Sequence, residues 1–345
     1  MFKQPPKKPL IVPVFIPNQG CPHRCVFCDQ VKVTDQVLRE VDASTVRNTL
    51  DLALQSPKYD VAENSEVAFY GGTFTRLPAA KMRGLLQAVE PYIRKGFFKS
   101  IRVSTRPDAV DQEGLELLKR YGVRTVELGA QSMNDDVLRL TRRGHSAEDT
   151  DRSSNLLKKN GFKVGIQLMP GLPGDTEERF MATVEEVVRL RPDMVRLYPT
   201  LVIRGTVLAH WYREKRYRPL EIDEAVRVCR KGCTRLEGEG IPVIRIGLMS
   251  SPSLLKKGEI VAGPWHEAFG FLVRSDIYHQ RIAPFLPKPG EASTVKLRVS
   301  PREIALLRGF RNQGLRVIED KTGTRVAAVL PDAVLPAGKI EVERA

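Results

Sequence analysis

Cysteine is scarce in this chain: five occur in 345 residues, an odd and small count that does not make a disulfide framework. Histidine is equally rare at five, and tryptophan occurs twice. No apolar run reaches the roughly 18 residues a membrane-spanning helix needs, so no membrane partner is expected. The start, Met1–Pro9, has three lysines and three prolines in place of an apolar segment with a small-residue cleavage site. No secretory signal is expected there, and a cytoplasmic, reducing address follows. Repeats of 20–50 residues and low-complexity tracts are also missing, which excludes a solenoid.

What is present suits a soluble globular protein. Hydrophobic residues make up 42% and charged residues 28%, and at roughly 150 residues per domain the length predicts about two domains. The 55 Lys and Arg against 41 Asp and Glu leave a net charge of +14, a balance that favours a polyanionic partner. Positive charge per residue is highest after residue 284.

Short β-branched runs alternate with amphipathic stretches over the first 250 residues. Strands are expected at Leu10–Ile16, Glu66–Tyr70, Ser100–Ser104, Thr125–Leu128, Lys163–Leu168, Val195–Tyr198 and Pro242–Ile246. Helices are expected between them, at Ala43–Gln55, Ala79–Arg94, Gln112–Tyr121, Ala147–Asn160, Thr176–Leu190 and Ile222–Glu239. Such alternation forces parallel strands with helical crossovers, so the fold class is α/β, a partial or near-complete (β/α) barrel over residues 1–250. Function belongs at the C-terminal ends of its strands. Residues 251–291 read as a connecting helix and a Pro-rich linker, and 292–345 as a small α+β unit.

Three of the five cysteines, Cys21, Cys25 and Cys28, fall within eight residues just beyond the first expected strand. Three thiolates so spaced can hold an iron–sulfur cluster, while a zinc site completed by His23 or a distant ligand is the alternative on spacing alone. With Phe27 before the last cysteine, the triad resembles the signature of the radical S-adenosylmethionine (SAM) superfamily. That resemblance implies a [4Fe–4S] cluster with one open iron that chelates SAM, reductive cleavage to a 5′-deoxyadenosyl radical, and an electron donor such as a flavodoxin or ferredoxin.

Further stations match around the barrel. Gly71, Gly72 and Thr73 after the second strand are similar to the glycine pair through which the superfamily approaches the SAM amino group. Ser104 stands where relatives often carry an acidic ribose contact. Gln131 and Arg143 resemble SAM contacts of the oxygen-independent coproporphyrinogen oxidase branch, the arginine pairing the carboxylate; an exposed helix arginine is the plain alternative. Gln167 leads into Gly171-Leu-Pro-Gly174, which resembles that branch's adenine-walling turn. From Val195 to Thr206 the chain looks like the catalytic subunits of Elongator, which modify wobble uridines of tRNA. It departs from them in the closer spacing of its first two cysteines and in showing no acetyl-CoA loop of an acetyltransferase domain.

The tail is ordered strand, helix, Gly309-Phe-Arg-Asn312, helix, Thr322-Gly323, strand. It resembles a KH domain, whose Gly-x-x-Gly loop clamps single-stranded RNA, with Asn312 in place of the second glycine. The resemblance implies RNA contacts at Gly309, Arg311 and Asn312. Cys229 and Cys233 read as semi-buried helix residues, and His145, His210, His266 and His279 as structural or surface histidines. Trp211, Tyr212 and Tyr217 among the basic residues 213–218 read as a solvated helix end or as an RNA-stacking patch.

The reading is a radical SAM enzyme that modifies RNA, with a tRNA base as the expected target. The alternatives are a radical SAM enzyme acting on a small molecule or peptide, and an RNA-binding protein with a structural cluster.

Overall fold

In a computed structural model of the chain, the described residues are 10–22, 24–35, 40–57, 59, 65–249 and 251–344. His23 and the Met1–Pro9 start lie outside them. The chain divides into two compact units, one made of everything up to Leu220 with Leu236–Pro264, the other of Glu221–Arg235 with the chain from Trp265 onward. The expected connector is thereby divided, residues 251–264 going with the first unit and the rest with the second. Among the described residues no helix is long and apolar enough to cross a membrane.

The first unit runs β1 (Ile11–Phe15), α1 (Gln30–Thr34), α2 (Ala43–Leu54), β2 (Glu66–Tyr70), α3 (Ala79–Arg94), β3 (Ser100–Thr105) and α4 (Gln112–Arg120). It continues through β4 (Val123–Gln131), α5 (Asp135–Leu140), α6 (Ala147–Lys159), β5 (Lys163–Leu168), α7 (Glu177–Leu190) and β6 (Met194–Leu197). Then come β7 (Val202–Ile203), α8 (Val207–Arg213), α9 (Ile222–Gly238), β8 (Val243–Ile246), α10 (Pro252–Leu255) and β9 (Ile260–Ala262). Of α9, the part up to Arg235 belongs to the second unit.

Strands β1 to β6 and then β8 form one sheet in sequence order, every pair parallel, while β7 and β9 make a separate antiparallel pair. Helix starts are set by side-chain caps at Asp42, Asp111, Asn134, Ser146, Thr176 and Thr206, each accepting from an amide three residues on. One face of the sheet is apolar and sealed: Val67, Phe69, Val103, Val126 and Val164 are fully buried, as are Leu86 and Val89 of α3. Each such side chain contributes about 1.5–3 kcal/mol by leaving water.

The other face carries charge. Arg102 of β3 donates to Glu66 of β2 and, at 2.6 Å, to Glu127 of β4; Arg196 of β6 reaches the same Glu127 oxygen at 2.9 Å and also Tyr70 of β2. In a flat sheet β2 and β6, four places apart, would be roughly 19 Å from each other. Their side chains touch, so the sheet curls into a partial barrel with these ions inside. Opposite Glu127 stands Gly165, where a Cβ would lie 2.9 Å from Glu127 Cγ; a bare backbone leaves room for the carboxylate.

The second unit adds α11 (Phe269–Ile282), β10 (Thr294–Val299), α12 (Ile304–Arg308), α13 (Gln313–Thr322), β11 (Arg325–Pro331) and β12 (Ile340–Arg344). Central β10 pairs parallel with β11 and antiparallel with β12. Its Val295, Leu297 and Val299 pack with Tyr278, Ile282, Leu307 and Ile318. Helix α12 ends abruptly, and α11 satisfies its last carbonyls, Ser275 donating to Leu306 at 2.7 Å and the His279 ring meeting Leu307 at 2.9 Å. Gly314 allows that approach, because a Cβ there would stand 2.4 Å from the Leu307 oxygen.

Four helices and three strands, α1, α5, α8, α10, β7, β9 and β12, were not anticipated. At two to seven residues they are shorter than the window in which periodicity is readable. The charge network yields a stability expectation. Glu127→Ala leaves Arg102 and Arg196 buried without their shared partner and is expected to lower the unfolding free energy by roughly 3–5 kcal/mol in urea titrations. A loss below about 1 kcal/mol would show that the network holds nothing together.

Candidate functional site

The segment after β1 turns back at once, Ile16 still bonded to Tyr70 at 2.8 Å, and Cys21, Cys25 and Cys28 follow on one loop. The Cys28 amide bonds to the Cys25 carbonyl at 3.1 Å. Burial pushes the Cys28 thiol up to about 12, and the neighbouring Cys25 and Cys21 sulfurs push the same way. Cys21 is raised as well, chiefly by burial, against the pull of Thr73, which stands 3.3 Å from its sulfur. Three sulfurs close enough to repel one another as anions form a site that gains from a multiply charged cationic centre, and loading one releases protons. Among the described residues no group of His, Cys, Asp and Glu closes around a single metal ion. Three soft thiolates on one loop fit an iron–sulfur cube with one iron open to an outside ligand.

The glycine turn after β2 is interlocked with this loop. Gly71 and Gly72 both have positive φ, at 79° and 59°. Gly72 donates to the Gln30 side chain at 2.7 Å, Asn18 donates to the same oxygen, and Thr73 donates to Gln19 at 2.7 Å. A Cβ on Gly72 would stand 2.2 Å from the Gln19 carbonyl. The glycine is therefore required for the turn to lie against the cysteine loop, a reason internal to the protein and separate from any approach to a ligand. Gln30, which joins the two loops, carried no signal in the sequence.

The ends of β3, β4 and β5 bring the other expected residues together. Ser104 pairs in register with Glu127 and shares the inner face with Arg102. Gln131 sits at a bulge with φ 69° and accepts from the Gln167 amide at 3.0 Å. Arg143 is only 7% exposed, which removes the surface-arginine alternative. Its guanidinium donates to the Gly129 carbonyl at 2.6 Å and lies 3.0 Å from Cys25 Sγ. It thus ties the cysteine loop to β4. Arg106, also buried and ion-paired with Asp108 at 2.8 Å, adds a second positive field at Cys21. Between them His145 is pushed down to about 3, mostly by burial and then by the two arginines, so it stays neutral. Phe27 packs with Val202, Leu208, Ala209 and Tyr217, anchoring the loop's far end.

The Gly171–Gly174 turn is held from two sides, Asp175 accepting from the Gly171 amide at 3.0 Å and Tyr217 donating to the Gly171 carbonyl at 2.6 Å. The other Asp175 oxygen is buried without a hydrogen-bond partner, and burial raises the carboxyl to about 6. In the second unit Gly309, Arg311 and Asn312 all have positive φ, and Arg311 and Asn312 are exposed. Asparagine at the last of these positions adopts the left-handed geometry with φ 61°. Cys229 and Cys233 are fully buried in α9.

A curled parallel sheet with a three-cysteine loop beyond its first strand defines a class of enzyme. A model of the radical SAM superfamily matches residues 15–187, and one of the radical SAM C-terminal domain matches residues 192–279. The chain belongs to the radical SAM superfamily, whose enzymes use a [4Fe–4S] cluster and SAM. It is 28% identical over 230 residues to a tRNA uridine(34) acetyltransferase of Dehalococcoides mccartyi, covering 58% of this chain and 50% of that protein. It is 33% identical over 183 residues to human Elongator complex protein 3, covering 47% and 34%. Archaeal Methanocaldococcus infernus Elp3 shares the fold, with a TM-score of 0.60, 24% identity, and coverage of 79% of this chain and 63% of that one. The chain spans half or less of the length of these curated relatives.

Two expectations follow. Gly72→Ala is expected to displace the Gln19 backbone and lower the iron and sulfide bound per chain after anaerobic reconstitution; full cluster content would refute the interlock. Because the Asp175 pKa is raised on folding, its contribution is fully present below its unfolded value near 3.8 and lost as pH rises through about 6. Between pH 4 and 7 it should cost the parent at most about 3 kcal/mol that Asp175→Asn does not lose. Urea midpoints measured across that range check this, and identical slopes would exclude it.

Proposed function

We propose that this chain is a radical SAM enzyme that modifies a tRNA base, with Cys21, Cys25 and Cys28 holding the cluster. When bound, the cluster and SAM supply a 5′-deoxyadenosyl radical. The observation that carries the reading is the single loop of three thiols braced by Arg143 and by the glycine turn. Arg143 and Arg106 oppose the burial that raises Cys21, and Arg143 does the same at Cys28, so positive charge already stands beside the sulfurs. Gly71, Gly72, Thr73, Ser104, Gln131, Arg143 and Gln167, with Phe27 on the loop, surround the strand ends where SAM is held. The fixed Gln131–Gln167 pair and the rigid turn at Gly171 give the nucleoside a preorganised wall.

An RNA substrate is supported by the names of the relatives, by the net charge of +14 and by the exposed Gly309–Asn312 loop, where Arg311 stacks over Phe310 at 5.2 Å. We assign that loop to RNA backbone through Gly309, Arg311 and Asn312. The electron comes from a flavodoxin or ferredoxin, and the enzyme works in the cytoplasm.

The test joins chemistry to substrate. Reconstituted protein is expected to release 5′-deoxyadenosine from SAM under reduction, and alanine at any one of Cys21, Cys25 or Cys28 to abolish it. Modified nucleosides of tRNA should differ between a deletion strain and its parent. Tightly bound zinc without iron would sink the radical reading, and unchanged tRNA and rRNA nucleosides would sink the RNA substrate.

A further inference from the structure

On the first unit, beside the cysteine loop, lies a groove of about 390 Å³. Helix α5 and the turn after it supply Arg139, Leu140 and Arg142; Gly174, Arg179 of α7 and Trp211 of α8 close the opposite side. The remaining lining residue is Asp136, so three arginines face one carboxylate. That carboxylate is already engaged, accepting from Arg139 at 2.8 Å with Arg179 at 3.9 Å. Arg142 is exposed, and its guanidinium makes no hydrogen bond or ion pair with another described residue. Leu140 is 46% exposed, an apolar surface among charges. Arg216 lies over the Trp211 ring at 5.4 Å, adding a further guanidinium plane.

Both walls are fastened to one residue of the cluster loop. The Val26 amide donates to Thr141, next to Arg142, at 3.2 Å, and the Val26 carbonyl accepts from Leu208 at the start of α8 at 2.8 Å. The groove therefore stands one residue from Cys25 and is rigid with respect to it. Guanidinium groups beside an aromatic ring form the combination that holds single-stranded nucleic acid, cations meeting the phosphates and the ring stacking a base.

We propose that this groove docks a single-stranded stretch of the substrate RNA next to the base being modified, with Arg139 and Arg142 on backbone phosphates and Trp211 stacking a base. The proposal rests on the RNA reading above and adds the surface that presents the strand to the cluster side of the barrel. The basic, aromatic segment around residues 211–218 acquires a role as one wall of that surface.

The test uses the full-length, reconstituted protein in a Trp265→Phe background, which leaves Trp211 as the one tryptophan of the two in the sequence. An unmodified tRNA transcript is expected to quench Trp211 emission, and so is a short oligouridine. Arg139→Gln with Arg142→Gln should lower the slope of log affinity against log salt by about 1.4, for two single-strand phosphates given up. Trp211→Ala should weaken tRNA binding about tenfold, and Trp211→Phe should restore most of it. The arginine pair is exposed, so its variant reports even where Trp211→Ala fails to fold. If the parent binds tRNA but Trp211 is not quenched and the arginine variant keeps the parent's slope, the groove assignment falls while the RNA reading stands. If the parent binds no tRNA, both fall. Equal quenching by a polyglutamate peptide would mark a site for acidic protein and overturn the proposal.

Discussion

One carboxylate oxygen organises the first unit. Glu127 Oε1 takes hydrogen bonds from Arg102, Arg196 and Tyr70, which come from three other strands. Ions held this way cannot be left half-paired, since a buried charge without its partner costs several kcal/mol. Satisfying them requires strands two and six of the sheet to face each other, and that requirement is the curl. The apolar seal on the opposite face supplies the stability; the inner charges supply the geometry. A sheet with alternating apolar and polar faces has one side free for chemistry, and here that side opens at the strand ends where the cysteine loop begins.

The loop itself has no regular structure to hold it. Its position is fixed by contacts from elsewhere: Gln30 and Thr73 at one end, Arg143 at Cys25, and the packing of Phe27 against α8 at the other. Most of these contacts go to backbone atoms, which is why two successive glycines with positive φ are needed at residues 71 and 72. Raised thiol pKa values and nearby arginines are two sides of one arrangement. Burial makes the thiolates expensive, and the guanidinium charges and a bound cluster both offset that cost. The same loop carries Val26, to which the walls of the arginine groove are tied, so cofactor site and docking surface share one rigid frame.

Much of this was readable beforehand. The strand and helix order of the barrel follows from hydrophobic periodicity, because long amphipathic elements repeat their pattern over many residues. The cysteine spacing and the glycine pair identify the superfamily for a chemical reason: few other arrangements bring three soft ligands and a bare backbone to successive strand ends. The short elements α1, α5 and α8 stayed hidden, being too brief for any period to show, and two of them build the groove.

The sequence by itself therefore determined the fold class, the family and the three candidate ligands, each encoded in local pattern or spacing. Tertiary structure alone decided that Arg143 meets Cys25, residues 118 apart, and that Glu66, Arg102, Glu127 and Arg196 form one network. Isolated charges on otherwise apolar strands were the only trace of that network, and such residues read equally well as solvated. Curling is what distinguishes the two readings, and it is a property of the whole sheet. It also decided that the bland basic segment near Trp211 faces arginines from α5 and α7, because strands that neighbour in space bring their following helices together whatever their distance along the chain.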